Sequence, residues 1–123
     1  MAVSVTNQSN PLGTQLVQDT IAGSTAVDNT TGTSGTLYAV EVDNSANASA
    51  VYFKLADSTD ATAGTTAADL VIMVPASSRA STVYPTGIVF SNGFSHWCVT
   101  GAGEANVVAP ALAVIARYVT TPP

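Results

Sequence analysis

Two stretches separated by a short polar break constrain this chain more than anything else in it: Leu37 to Asp43 (LYAVEVD) and Ala50 to Ala56 (AVYFKLA), with Asn44 to Ser49 between them. Taken two residues at a time, Tyr38, Val40 and Val42 share one face, as do Val51, Phe53 and Leu55. Glu41 and Lys54 fall on the opposite faces. Period-two alternation of this kind predicts strands, and the polar break predicts a β-hairpin with a core side and a solvent side.

The rest of the chain repeats the pattern in shorter pieces. Residues 1–15 are polar and broken at Asn10-Pro11, where the residue before proline favours extended geometry; they read as an extended arm or loose edge. Leu16 to Ile21 suits a short strand, and the Thr, Ser and Gly tract from Asp28 to Gly35 a long turn. Asp57 to Asp69 is a loop of small residues. It leads into Leu70 to Val74, which is apolar on both parities and closed by Pro75. Ser81 to Tyr84 and Gly87 to Phe90 read as two short strands around Pro85, which confines them to an edge or a bend. In Phe94 to Thr100, the residues Phe94, His96, Cys98 and Thr100 face one way, and Ser95, Trp97 and Val99 the other. Gly101 to Gly103 turns the chain into Pro110 to Thr121, with Leu112, Val114 and Tyr118 opposite Ala113, Ile115, Val119 and Arg117.

Many short strands divided by Gly, Ser, Asn and Pro, with no amphipathic helical run, predict a single all-β domain. The expected architecture is an antiparallel β-sandwich of Greek-key or jelly-roll type at 16–123, with the extended N-terminal arm at 1–15. A chain of 123 residues buries enough surface to fold without staples.

Charged residues make up 9% of the chain, against roughly 25% in an ordinary domain, and uncharged Ala, Thr, Ser, Gly and Asn replace them. Little charge repulsion then keeps copies apart. Lys54, Arg79 and Arg117 are too few and too scattered to displace counterions from a phosphate backbone, so nucleic acid is not an expected partner. No run approaches the roughly 18 apolar residues of a membrane span, and the start lacks the basic and apolar regions of an export signal. Cys98, the sole cysteine, is expected to be a buried thiol.

The candidates for chemistry are weak. Ser95 and His96 are consecutive in a strand and point to opposite faces, so they cannot form a nucleophile and base pair. His96 and Cys98 share a face, but a structural zinc site needs four ligands and no second His or Cys exists. The alternating oxygens of Asp43, Ser45, Asn47 and Ser49 resemble a calcium loop, yet Ala48 and Lys54 stand where Gly and Glu are required. Asp57, Asp60 and Asp69 read as loop carboxylates bonded to local amides. The Gly101 to Gly103 turn lacks the helix and lysine of a phosphate loop. No catalytic residue, metal ligand or cofactor is therefore expected. Trp97, Tyr38, Tyr52, Tyr84 and Tyr118 could form a sugar-stacking platform, but on separate strands they suit a core or an interface better.

Strands that are apolar on both faces carry a further expectation. A sandwich covers only the inner face of each sheet, so Val71 and Met73 must be covered by a loop of the same chain or by a neighbour. Burial would stabilise by about 1.5–3 kcal/mol per side chain. Arg117, a guanidinium in an apolar strand, needs a carboxylate partner. The expected subunit contacts are Leu37, Val71, Met73, Ile115 and Arg117.

The motifs at Asp43 to Asn47 (DNSAN), Val51 to Leu55 (VYFKL), Gly64 to Thr66, Asp69-Leu70, Val74-Pro75, Pro85 to Gly93 (PTGIVFSNG) and Val99 to Gly101 give residues 36–101 a resemblance to the small β-sandwich virion proteins of tailed bacteriophages. That resemblance implies a capsid decoration or cement subunit, often a trimer at a lattice junction. It also implies assembly in the host cytoplasm, a place on the outer capsid surface, and contact with itself and with the major capsid protein or another virion protein. A carbohydrate-binding or tail- or fibre-associated module is the alternative.

Overall fold

The computed structural model describes residues 3–7 and 13–123; the Asn10-Pro11 break lies outside them. Among the described residues eight strands make up the regular structure: β1 (Val3–Asn7), β2 (Gln15–Ala22), β3 (Gly35–Asp43), β4 (Val51–Asp57), β5 (Leu70–Val74), β6 (Arg79–Phe90), β7 (Phe94–Val99) and β8 (Val114–Thr121). They form a five-stranded sheet in the order β1-β2-β8-β3-β6 and a three-stranded sheet in the order β5-β4-β7, with every pairing antiparallel. Val3–Asn7, within the expected arm, is the edge strand of the larger sheet and pairs along β2 from Asp19 to Gln15.

Between β2 and β3 the chain crosses to the free side of β7, where Val27 bridges to His96 and Gly23 accepts a hydrogen bond from the Cys98 amide. Counted as a rudimentary strand, this crossing completes the smaller sheet. From β2 onward the chain then alternates between sheets at every step except the β4–β5 hairpin, which is the winding of a jelly roll.

The core lies where the alternation of both sheets points inward. Val17, Val40, Val42, Val114 and Ala116 from the larger sheet meet Val51, Phe53, Leu55, Phe94 and Cys98 from the smaller. Aromatic rings pack in tilted and edge-on pairs, with Phe90 4.2 Å from Phe94 and Phe94 edge-on to Tyr118 at 6.3 Å.

The hairpin expected of β3 and β4 does not form. These strands lie in different sheets, β3 between β8 and β6, β4 between β5 and β7. The polar break is a crossing, held by two asparagines. Asn44 Nδ2 donates to the carbonyls of Ser49 (3.0 Å), Val74 (3.3 Å) and Pro75 (3.1 Å). Asn47 Nδ2 donates to Asn44 Oδ1 at 2.9 Å and to Leu112 O at 3.1 Å, while its Oδ1 accepts from the Leu112 amide at 2.7 Å. Both residues are buried. Their amide groups do the work that backbone pairing would do in a hairpin.

A bulge alters which face of β3 is buried. Between Leu37 and Ala39 the register shifts against both neighbours, and Tyr38 is the extra residue. Leu37 therefore points inward on one side of the bulge and Val40 and Val42 on the other, while Tyr38 is only half-buried. On β6 the same irregularity pushes Tyr84 to Gly87 out between the paired positions Val83 and Ile88. Gly87 has φ +77°, and a Cβ there would stand 2.2 Å from Thr36 Cγ2. The two short strands expected around Pro85 are thus one bulged strand. It is an edge strand, which is where a residue without an N–H is tolerated.

Candidate functional site

The densest concentration of titratable groups is a buried chain between the sheets. Asp19 of β2 places Oδ2 2.8 Å from His96 Nε2, and Oδ1 accepts the Ile21 amide at 3.0 Å. His96 Nδ1 lies 2.8 Å from Tyr118 Oη, which in turn contacts the Thr30 hydroxyl. Thr30 Oγ1 also donates to Phe94 O at 3.0 Å. Each ring nitrogen of His96 thus has a buried polar partner, the Asp19 carboxylate on one side and the Tyr118 hydroxyl on the other.

Burial alone would raise the Asp19 carboxyl. The His96 hydrogen bond, the Ile21 amide and the electrostatic pull of the imidazole outweigh it and hold the group below 3.8. Burial pushes the Tyr118 phenol well above its ordinary value; the Thr30 hydrogen bond opposes this and the Asp19 charge adds to it. The arrangement resembles a catalytic relay in composition only. Each of its four members is buried, and among the described residues no nucleophile stands at its end facing solvent. What it does is join β2, β8 and the crossing segment to β7 through the interior.

The other sequence candidates resolve into structural contacts. Ser95 Oγ donates to Ser58 O at 2.6 Å and accepts the Asn29 amide at 3.1 Å, on the face of β7 away from the imidazole. Cys98 is buried, and burial followed by the Asp19 charge pushes its thiol up to about 12, far from a thiolate that could bind metal. Among the described residues no group of three or more His, Cys, Asp or Glu could hold a metal ion. In the stretch that resembles a calcium loop, the Asn47 oxygen is taken by the Leu112 amide and Asp43 Oδ1 by the Ser45 amide at 2.9 Å. Asp57 receives the amides of Ser91 and Asn92, each at 2.9 Å, and so closes the β6–β7 turn, while Asp69 Oδ2 accepts the Asp57 amide at 2.7 Å. These are loop carboxylates serving local amides.

The expected subunit-contact residues are scattered. Val71 and Met73 project outward from β5, and Ile115 and Arg117 from the outer face of β8. Leu37 belongs to the core with no exposed surface and is corrected to a packing residue, because the bulge at Tyr38 turns it inward. Arg117 finds its carboxylate within the chain: Nη1 lies 3.1 Å from Glu41 Oε1, and Nε donates to Gln18 Oε1 at 3.3 Å. The row Gln18–Arg117–Glu41 runs straight across three strands.

Lys54 was expected on a solvent face, and it is buried. It does lie on the outer face of β4, but the 58–69 and 101–109 loops fold over that face, and its Nζ donates to Gly103 O at 2.9 Å. Trp97, its direct partner on β7, is buried beneath the same loops against Ala56, Ala61 and Val99. Small residues let the loop lie flat on the indole. With Trp97 and Tyr118 both enclosed, a stacking platform of all five aromatics does not exist.

Sequence reasoning missed Asp19, although the signal was present: a carboxylate at the same parity as the inward-facing Val17. It also missed Val83 and Val89 of β6, which are exposed beside the edge that β5 forms in the other sheet. No protein-family model matches the chain, and comparisons with curated proteins and with solved structures give no significant match.

Proposed function

We propose that this chain is a non-enzymatic structural subunit of a virus particle. In this reading it is a capsid decoration or cement protein that acts as a homo-oligomer and bridges neighbouring capsid proteins on the exterior. One observation carries the reading. Where both sheets end, large apolar side chains stand in solvent on the two outer faces: Val71 (44% exposed) and Met73 (50%) on β5, Val83 (54%) and Val89 (78%) on β6. Free edges are normally protected by charge, proline or a bulge. β6 has Pro85 and its bulge, but the sequence of β5 is Leu-Val-Ile-Met-Val, with no charge at all. A neutral edge with an apolar outer face suits pairing with another protein strand.

Two further features support the same reading. The net charge of −5 suits an outer surface better than a DNA-facing one. The jelly roll recurs in viral capsid domains, a fold-level analogy that raises the prior without assigning a role. Lectin domains share that fold, so a glycan-binding module of a tail or fibre is the second reading; the enclosure of Trp97 and Tyr118 weighs against it.

Sedimentation in low and high salt, with and without capsid shells lacking the subunit, tests the proposal. The expected result is an oligomer that persists in high salt and co-sediments with shells, with Met73→Lys/Val83→Lys giving a folded monomer. A wild-type monomer at both salts that leaves shells bare overturns it, and a defined sugar bound on a glycan array moves the assignment to the second reading.

A further inference from the structure

We propose that the outer face of the three-stranded sheet holds a carboxylate-binding site whose two donors are Lys54 and Trp97. In register, Val71, Lys54 and Trp97 form one row across β5, β4 and β7. Residues directly opposite on antiparallel strands bring their side chains within about 5 Å, so the ammonium stem and the indole stand side by side. The 58–69 and 101–109 loops roof this row and meet each other at Gly64, where a Cβ would stand 2.7 Å from Val107 Cγ1. Between roof and sheet lies a cavity of about 150 Å³, lined by Lys54, Trp97, Val71, Thr66, Ala68 and Glu104.

Both donors are enclosed and short of acceptors. Lys54 is 2% exposed, and its three N–H groups have one acceptor, Gly103 O at 2.9 Å. The ion pairs among the described residues join Arg79 to Asp43, His96 to Asp19 and Arg117 to Glu41; none involves Lys54. Trp97 is 1% exposed, and its Nε1 is the one buried side-chain nitrogen or oxygen without a hydrogen-bond partner among the described residues. Buried donors left unpaired keep the full cost of losing water, which is why native interiors rarely hold them. Here the unpaired Trp97 Nε1 and the singly bonded Lys54 Nζ belong to residues that line one cavity.

The ligand that resolves both is an acceptor carrying negative charge, with two oxygens to divide between an ammonium and an indole N–H. A carboxylate has that form. One ammonium neutralises one charge, and Glu104 on the rim, in a chain of net charge −5, disfavours a dianion such as phosphate. Ala68 and Val71 supply apolar wall for the carbon attached to the carboxylate. The site does not depend on the particle role proposed above.

Trp97 is the sole tryptophan, so its indole N–H resonance and fluorescence report on this cavity alone. The full chain is titrated with sodium acetate at pH 7.5 against sodium chloride of matched ionic strength, and separately with inorganic phosphate. The expected result is saturable movement of the indole resonance with acetate. Chloride should give none, and phosphate should bind more weakly. Lys54→Met should weaken acetate binding by about tenfold or more, and Glu104→Gln, a surface change that leaves the fold intact, should tighten it by about threefold. Acetate movement that fails to saturate, or that chloride reproduces, overturns the site. Phosphate binding tighter than acetate overturns the carboxylate assignment. Unchanged affinity in Glu104→Gln, or in a folded Lys54→Met, overturns the electrostatic basis.

Discussion

Asp19 and His96, on opposite sheets of the sandwich, meet at 2.8 Å in its interior, and this contact is the polar seam around which the apolar core closes. Remote in sequence, the two residues fix how β2 and β7 face one another. A buried polar chain of this kind is specific about geometry in a way that Val against Leu is not, because each member has one set of partners that satisfies it.

Replacing Asp19 with Ala should therefore lower stability by about 3 kcal/mol, because the buried His96 Nε2 would lose its charged partner. The pH dependence has a definite sign. The folded-state value of Asp19 lies below 3.8, so its contribution is fully present above that pH and is lost as pH falls through the folded value. In urea titrations, Asp19→Asn should be less stable than the wild type at pH 7, and the gap should narrow steadily below about pH 4. A gap that stays constant down to about pH 2 would mean that Asp19 is not held ionised by this contact.

Fold class was legible because alternation was: each of β2, β3, β4, β7 and β8 was found within a few residues of its true position. Strand partnership was not legible. Alternation tells which face of a strand is apolar, and Val40, Val42, Val51 and Phe53 satisfy it equally as a hairpin or as two strands facing each other across a core. The distinction lay in Asn44 and Asn47, whose side chains replace backbone pairing at the crossing; in sequence they look like ordinary turn residues. The inward turn of Leu37 depended on a bulge at Tyr38 that nothing local announces, because it is forced jointly by β6 and β8. Burial of Lys54 was hidden for a related reason. A small-residue loop can hang in solvent or lie down on a tryptophan, and only the tertiary arrangement decides which.

The crossing itself gives the second expectation. Asn47 makes three side-chain hydrogen bonds, to Asn44 and to both backbone groups of Leu112, and is buried. Asn47→Ala would take the partners of the Leu112 amide and of Asn44 Oδ1, at a cost of about 2–4 kcal/mol in chemical denaturation. Because those oxygens are committed, calcium has nothing to bind: millimolar calcium or a chelator should leave the thermal midpoint unmoved. A calcium-dependent rise would show that the loop opens to accept the ion.

Arg117 distinguishes an internal ladder from a subunit anchor. Its guanidinium reaches Glu41 and Gln18 on the two flanking strands, but the side chains of Arg117 and Glu41 are 38% and 45% exposed, so solvent and salt screen the pair. A half-exposed pair of this kind is worth no more than about 1 kcal/mol. Arg117→Met, which keeps the aliphatic stem on the sheet, should accordingly change the urea midpoint little and leave the sedimentation coefficient unchanged. The contrast with Met73→Lys/Val83→Lys is the informative one, because those half-exposed side chains make no hydrogen bond or ion pair that would be lost. If Arg117→Met instead breaks the proposed oligomer while the fold survives, the guanidinium serves a neighbouring copy as well as Glu41. The contact surface would then extend from the β5–β6 flank onto the outer face of the five-stranded sheet.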